Sequence, residues 1–181
     1  MALALLGLGR EASAFRLRLH GLVTDYVTQG PMAKARIRIY KEGELVKVQT
    51  SNATGRYVYT FENHSNYVVR VDAPGYQGKC ITIDTHGLEW EGDGKISDLE
   101  VEMRLLACRP GVDLSFLDLP LGLARFEPAT GLTRWSRDYE RNISADGRDL
   151  LQRYGRAVGQ GTFLPSANRG PLPIPHPLIR L

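Results

Sequence analysis

A histidine and a glutamate near the middle of the chain are spaced as a pair of zinc ligands would be. His86 and Glu89 form a His-x-x-Glu pattern, which supplies two ligands but needs a third, commonly another His. Only His176 lies downstream, in a proline-rich segment. We therefore interpret His86 as a loop residue and Glu89 as a solvated side chain, and we expect no zinc site.

An acidic stretch that begins at the same glutamate partly fits a calcium-binding loop. Four carboxylates fall at ligand positions of an EF-hand pattern: Glu89, Glu91, Asp93 and Glu100. However, glutamate replaces the shorter aspartate at the first two positions, and the flanks 81–83 and 99–103 alternate as strands do, whereas an EF-hand needs helices. We favour a solvated hairpin loop and keep the four carboxylates as a calcium candidate only.

The remaining chemistry-bearing residues suggest no enzyme. The four His residues are scattered, and no Ser lies in the Gly-x-Ser-x-Gly context of a nucleophile elbow. We expect no catalytic residues, no cofactor and no enzymatic activity.

Short runs in which apolar and polar residues alternate fill residues 15–107. They predict the secondary structure on which the side chains discussed above lie. The run from Phe15 to His20 places apolar residues on one face and polar residues on the other, which is the period of a half-buried strand. Similar runs follow between turns such as Glu42-Gly43 and the turn at Gly55. With no helical period between them, they predict an all-β fold, a seven-stranded antiparallel β-sandwich of the transthyretin-like or immunoglobulin-like kind.

Five short segments in this region resemble the carboxypeptidase regulatory-like domain, a transthyretin-like sandwich. They are GLV at 21–23, the strand 33–39, TGRY at 54–57, YVV at 67–69 and APGY at 73–76. Within them, Gly55 suits a turn that needs a positive φ, and Tyr57 and Tyr67 are large enough to fill the space between two sheets. The resemblance covers about residues 15–107 and implies an accessory module without a peptidase active site. Residues 111–139 are similar, more loosely, to the extension of some envelope proteins of gliding and related Gram-negative bacteria.

The chain after the sandwich divides into two parts. Residues 108–158 form an extension too apolar for a free linker, and we expect it to pack on the sandwich, mostly irregular but with a short helix in 138–159. Ser144 or Asp146 is the expected N-cap of that helix. Residues 159–181 form a Pro-rich tail that favours extended polyproline geometry and suits partner binding.

Charge and cysteine content limit the function classes. Residues 15–107 carry twelve basic and twelve acidic residues, and 108–181 carry ten Arg against seven acids, without a basic block. A nucleic-acid partner is therefore not expected. Cys80 and Cys108 are too few for a disulfide framework, and from the sequence they are either two buried thiols or one bridge.

The first residues give an indication of the compartment. Residues 1–14 contain a short apolar run followed by Ala12-Ser13-Ala14, a small-x-small cleavage pattern, but no basic segment precedes the run. We interpret them as the remnant of a signal peptide that starts upstream, the alternative being an apolar chain end. The run is too short for a transmembrane span. The expected location is periplasmic, outer-membrane-associated or extracellular.

These observations lead to two functional hypotheses. The first is a non-enzymatic structural or protein-interaction module of a bacterial cell envelope or secreted assembly, with a protein partner bound through sheet edges or the Pro-rich tail. The alternative is a carbohydrate- or ligand-binding module. Its expected contacts are the aromatic residues Tyr26, Tyr40, Tyr76 and Trp90.

Overall fold

A computed structural model describes residues 16–87, 96–127 and 132–159, which form ten strands and one long helix. The elements are β1 (Arg16–Asp25), β2 (Arg36–Lys41), β3 (Glu44–Thr50), β4 (Arg56–Phe61), β5 (Asn66–Asp72), β6 (Tyr76–Gln77), β7 (Lys79–Asp84), β8 (Ile96–Ala107), a 3-10 helix (Ser115–Asp118), β9 (Pro120–Glu127), β10 (Leu132–Trp135) and α1 (Arg137–Gly159). No helix within the described residues is both long and apolar enough to cross a membrane.

The strands form the two sheets of a sandwich, which confirms the predicted β-sandwich, although ten strands are described instead of the predicted seven. One sheet has four strands in the order β4-β1-β8-β6, and the other has six in the order β10-β9-β7-β5-β2-β3. The sequence predicted antiparallel pairing throughout, whereas β1 pairs with β8 in parallel and β7 pairs with β9 in parallel. Both parallel pairs join strands far apart in the chain, so the local turns that indicate antiparallel hairpins carry no signal for them.

The space between the sheets is filled by the inward residues that the alternation identified. Tyr57 and Tyr67 are both buried, as expected for the large residues of the core. The Tyr57 hydroxyl donates a hydrogen bond to the carbonyl O of Val101 at 2.9 Å. This bond crosses above Gly21, where an added Cβ would lie 1.8 Å from the same oxygen. The glycine that opens the resemblance to the regulatory-like domain is thus needed for the close approach of β1 and β8.

The turn at Gly55 also has the backbone geometry expected of it. Gly55 has a φ of +74°, in the left-handed region that disfavours residues with a Cβ. The side chain of Asn52 accepts hydrogen bonds from the backbone N–H groups of Thr54 and Arg56, which fixes the turn before β4. The sandwich predicted from the resemblance is therefore present, while membership of the carboxypeptidase regulatory-like family stays a prediction.

The extension contains more regular structure than the sequence indicated. Strand β9 lies along β7 and β10 pairs with β9, so both lengthen the larger sheet. The predicted helix is present but begins at Arg137, after Ser136, whose hydroxyl accepts a bond from the N–H of Tyr139 at 3.3 Å. Ser144 and Asp146 lie inside α1, so the predicted N-cap was wrong. The observed cap is Ser136, and the Tyr139 hydroxyl in the first turn donates to the carbonyl O of Pro120 at 2.6 Å. This second bond depends on where β9 lies, which a local Ser or Asp signal does not reveal.

The two cysteines do not form a bridge. Cys80 is buried on β7, Cys108 is exposed after β8, and both are free thiols. The Cys80 thiol lies 3.5 Å from the carbonyl O of Asp118. Burial raises the pKa of Cys80, so this thiol stays in its neutral, unreactive form at neutral pH.

Candidate functional site

A cavity opens where the smaller sheet ends and α1 crosses. Among the described residues, β8 is paired along its length with β1, but on its other side only Leu106 and Ala107 pair with β6. The larger sheet extends further, through β9 and β10, and α1 packs over the gap. The space lined by β7, β8, β9, β10 and α1 is open to solvent on one side and has a volume of about 830 Å³.

The wall of this cavity is mainly apolar with a few charged groups. Its apolar part comes from both sheets, the 3-10 helix and α1: Ile81, Val101, Met103, Phe116, Leu117, Leu121, Trp135, Ile143, Leu150 and Leu151. Its charged part is Lys79, Glu102, Arg104, Arg137, Glu140, Arg141 and Arg148. Five basic side chains against two acidic ones give the wall an excess of three positive charges when Lys79 is protonated.

Lys79 is the most unusual of these residues because its side chain is only 8% exposed. It is the first residue of β7, and the alternation of that strand places it in the same inward row as Ile81 and Ile83. No hydrogen bond or ion pair of its ammonium group is found in the described structure. Burial and, second, the nearby charge of Arg104 lower the pKa of Lys79 to about 7.

The charges on β8 are, in contrast, matched to one another. Arg104 donates a hydrogen bond to a carboxylate oxygen of Glu102 at 2.8 Å, and the Thr24 hydroxyl donates to the other oxygen at 2.8 Å. Although partial burial alone would raise the pKa of Glu102, these bonds and the charge of Arg104 hold it below its usual value. Glu102 is therefore ionised and forms an ion pair with Arg104.

Trp135 contributes a buried polar atom without a partner. Its side chain is 7% exposed, and its indole N–H has no acceptor within the described structure. The ring packs on Gly122 of β9, where an added Cβ would lie 2.6 Å from the ζ3 carbon of the indole. An unpaired buried donor costs about 1–3 kcal/mol, so an acceptor brought to this N–H would be stabilising.

Helix α1 closes the cavity with one apolar side and places its arginines at the rim. Leu150 and Tyr154 are buried against the sandwich, and the ring of Tyr154 meets that of Tyr26 edge-to-face at 5.9 Å. Arg137 and Arg148 line the cavity from exposed positions on the same helix. The helix thus supplies both the apolar cover and a cationic opening.

The aromatic residues predicted to bind a ligand lie in different places. Tyr26 lines the cavity, and the hydroxyl of Tyr76 donates to a carboxylate oxygen of Asp25 at 2.9 Å, next to Tyr26 in the chain. Tyr40 lies on the outer face of the larger sheet, with its hydroxyl 3.4 Å from Arg38. Trp90 lies outside the described residues. Tyr26 is therefore the predicted ligand residue that the structure places at the candidate site.

The predicted metal ligands are described only in part. Glu89, Glu91 and Asp93 lie outside the described residues, while Glu100 lies within β8, opposite His20 of β1. Both flanks of the acidic loop are strands, as the sequence indicated. Within the described ranges no cluster of three or more His, Cys, Asp or Glu is placed to hold a metal ion. His86 is bound to Asp84, with 2.8 Å between its Nδ1 and the carboxylate.

Sequence reasoning missed Lys79, Trp135 and the glycines of the cavity wall. A signal for Lys79 was present, since a charged residue in register with Ile81 and Ile83 interrupts an apolar row. For Trp135 the local sequence held no such signal, because its contact with Gly122 depends on the pairing of β9 with β10.

Comparison with solved structures finds matches at low identity and with TM-scores below 0.5. Catechol 1,2-dioxygenase from Acinetobacter radioresistens matches at 13% identity with a TM-score of 0.38, over 52% of this chain and 53% of that chain. Hydroxyquinol 1,2-dioxygenase from Pseudomonas putida DLL-E4 matches at 9% identity with a TM-score of 0.40, over 52% and 57%. 5-Hydroxyisourate hydrolase from Klebsiella pneumoniae matches at 15% identity with a TM-score of 0.36, over 51% and 91%.

These matches carry no conclusion about activity. The chain spans about half the length of the dioxygenases it matches. No protein-family model and no curated protein matches it. A sandwich fold hosts many unrelated functions, so function has to be inferred from the chemistry of the cavity.

Proposed function

We propose that this protein is a non-enzymatic ligand-binding module that holds a small, mainly apolar molecule in the cavity beneath α1. The observation that supports this function best is a cavity of about 830 Å³ whose apolar wall contains a buried lysine without a partner. Small-molecule sites in proteins have volumes of roughly 300–1,000 Å³ and combine apolar walls with a few polar groups. The function corresponds to the second of the two hypotheses drawn from the sequence.

Energetic reasoning favours a binding site over a purely structural contact. Protein interiors are close-packed, and a helix that served only to cover the sheet would be expected to fill this space with side chains. Here a glycine, Gly147, lines the cavity from the middle of α1, and a Cβ added to it would lie 3.7 Å from an aromatic carbon of Phe116. Glycine is also a poor helix former, so this position favours an open space over helix stability.

Absence of catalysis is part of the proposal. The described wall contains Ser144 and Lys79 but no His or Cys, and no nucleophile is hydrogen-bonded to a general base there. Such a wall suits binding of a ligand without chemical conversion of that ligand.

Blocking the cavity from α1 tests the function with a matched control. In full-length protein carrying Trp90→Phe, Trp135 is the remaining tryptophan and reports on the cavity. We expect the neutral probe N-phenyl-1-naphthylamine to bind and to change Trp135 fluorescence. Gly147→Leu should weaken this binding by roughly tenfold or more, because its side chain would occupy the space.

The control is Gly155→Leu, on the same helix but with open space around its Cβ position. Both substitutions raise helix propensity by a similar amount, so only a cavity effect separates them. Equal probe binding by the two variants, or no binding by the unsubstituted protein, would contradict the proposed function.

A second candidate, the protein-interaction role, is favoured by one observation on the opposite side of the sandwich. Strand β3 is an edge strand, paired only with β2 among the described strands, and it exposes Leu45, Val46 and Val48 by about half. Val58 of the neighbouring edge strand β4 is 53% exposed, and its carbonyl accepts a bond from the side chain of Gln49. An exposed apolar edge suits pairing with a strand of a protein partner.

The interaction role and the cell-envelope location remain proposals that one experiment addresses. Full-length protein is used as bait on an envelope fraction, beside Val46→Lys/Val48→Lys and, as control, Thr60→Lys at an exposed position of β4. Loss of a captured protein with the β3 variant alone supports strand pairing. Retention of capture by the β3 variant contradicts it, and a chain ending at Gly159 then tests the Pro-rich tail, which lies outside the described residues.

A further inference from the structure

Lys79 gives the cavity a preference for one class of ligand, because it is a buried residue of the wall whose ammonium group has no acidic partner in the described structure. The other cations of the described wall are either paired or exposed: Arg104 is bound by Glu102, Arg141 by Asp138, and Arg137 and Arg148 lie at the surface. Lys79 is thus the buried cation of the described wall that has no acidic partner. A buried ammonium is stabilised when an anionic group pairs with it, so an anionic ligand group at Lys79 would be favourable.

The surrounding charges restrict the missing group further. The groups that face the cavity with Lys79 are Glu102 and Arg104 from β8 and Arg137, Glu140, Arg141 and Arg148 from α1. The sum of these charges is positive. This disfavours a cationic ligand and favours an anionic group near Lys79. The apolar residues of both sheets and α1 fill the rest of the wall, so the body of the ligand must be apolar.

From this arrangement we propose that the ligand is an apolar molecule with a single carboxylate, whose oxygens accept hydrogen bonds from the Lys79 ammonium group. This inference rests on the proposed function and specifies the ligand class of the same cavity. Hydrogen bonds between an ammonium and a carboxylate are among the stronger ones in proteins, especially where water is excluded. One buried cation matches one negative charge, so a monocarboxylate fits better than a doubly charged phosphate.

The protonation of Lys79 makes the same proposal testable by pH. Because burial and the charge of Arg104 lower its pKa to about 7, the amine of the empty protein is largely neutral at pH 9. A bound carboxylate favours the ammonium form, so binding at pH 8 to 9 must take up a proton. A neutral ligand of the same shape would show no such uptake.

The experiment compares dodecanoate with dodecan-1-ol, two probes that share the apolar body and differ in charge. Binding to full-length Trp90→Phe protein is measured by Trp135 fluorescence, and proton uptake by calorimetry of dodecanoate in buffers of different ionisation enthalpy. At pH 7 we expect dodecanoate to bind roughly tenfold or more tightly than dodecan-1-ol. From pH 7 to pH 9 the affinity for dodecanoate should fall by roughly tenfold or more, with that for dodecan-1-ol unchanged.

Two variants separate the role of Lys79 from a general charge effect. Lys79→Met should remove the preference for dodecanoate and its pH dependence while dodecan-1-ol still binds. Lys47→Met, which removes an exposed lysine of β3, should leave both unchanged. Equal affinities of the two probes, or a preference that survives Lys79→Met, would overturn the ligand class and leave the proposed function standing. Binding of neither probe would overturn both.

Discussion

Replacing Lys79 by Met should stabilise the protein at neutral and acidic pH, although it removes a proposed ligand contact. Met keeps an unbranched apolar side chain of similar length in the inward row of β7 while removing the buried charge. The fall in the pKa of Lys79 from its ordinary value of 10.5 to about 7 corresponds to roughly 5 kcal/mol lost by the folded state when the group is charged. The folded state of Lys79→Met does not lose this free energy, because Met carries no charge.

The pH dependence of the difference follows from the two protonation states. Below about pH 7 Lys79 is charged in the folded and unfolded protein, so the full destabilisation applies, whereas above about pH 10.5 it is neutral in both and none remains. Between these values unfolding takes up a proton, so the unfolding free energy of the unsubstituted protein rises with pH. The advantage of Lys79→Met should therefore shrink by roughly 3 kcal/mol between pH 6 and pH 9.

Urea unfolding followed by circular dichroism at pH 6 and pH 9 measures this change. Any gain or loss from the packing of Met is independent of pH and cancels when the two values are subtracted. Groups that titrate in both proteins cancel in the same way. Lys47→Met, at an exposed site, serves as the matched control and should show no such change. If the difference in unfolding free energy between Lys79→Met and the unsubstituted protein stays constant from pH 6 to pH 9, Lys79 is not a buried residue without an acidic partner.

Three further substitutions test contacts of the core and of the cavity wall. Gly21→Ala should cost about 2–3 kcal/mol in urea unfolding, because the added Cβ would lie 1.8 Å from the carbonyl O of Val101. Leu150 lies on the buried side of α1 and is 1% exposed. Leu150→Ala should lower the unfolding free energy by about 2–5 kcal/mol and speed amide hydrogen exchange in the helix. Gly122→Ala should displace the indole of Trp135, which lies 2.6 Å from the added Cβ, and shift its fluorescence spectrum in Trp90→Phe protein.

Each of these expectations has a clear opposite result. Unfolding free energy of Gly21→Ala within about 0.5 kcal/mol of the unsubstituted protein would show that β1 and β8 do not approach as closely as described. Unchanged exchange in α1 of Leu150→Ala would mean that the helix does not depend on this contact. For Gly122→Ala the control is Gly155→Ala, where the added Cβ meets open space and the Trp135 spectrum should not move.

The strands, the turns and the core residues of the sandwich were predictable because their signals are local. Alternation placed Ile37, Ile39, Val69 and Val71 on the inward face, and all four are buried. The positive φ of Gly55 was likewise predicted from its place in a turn. The helix was predicted within residues 138–159, but its start was misplaced. Ser136 caps the helix, and the Tyr139 hydroxyl of the first turn donates to the carbonyl O of Pro120 in β9.

The sequence by itself therefore determined the class of fold and which face of each strand is apolar. Only the tertiary structure decided the parallel pairings, the position of β9 and β10 on the larger sheet and the cavity beneath α1. Period-two alternation shows that Lys79 points inward but not whether water reaches its ammonium group. That depends on how far the opposite sheet extends, which is set by pairing between residues distant in the chain. Lys79 is buried without an acidic partner among the described residues because the smaller sheet ends there and the apolar side of α1 covers the gap.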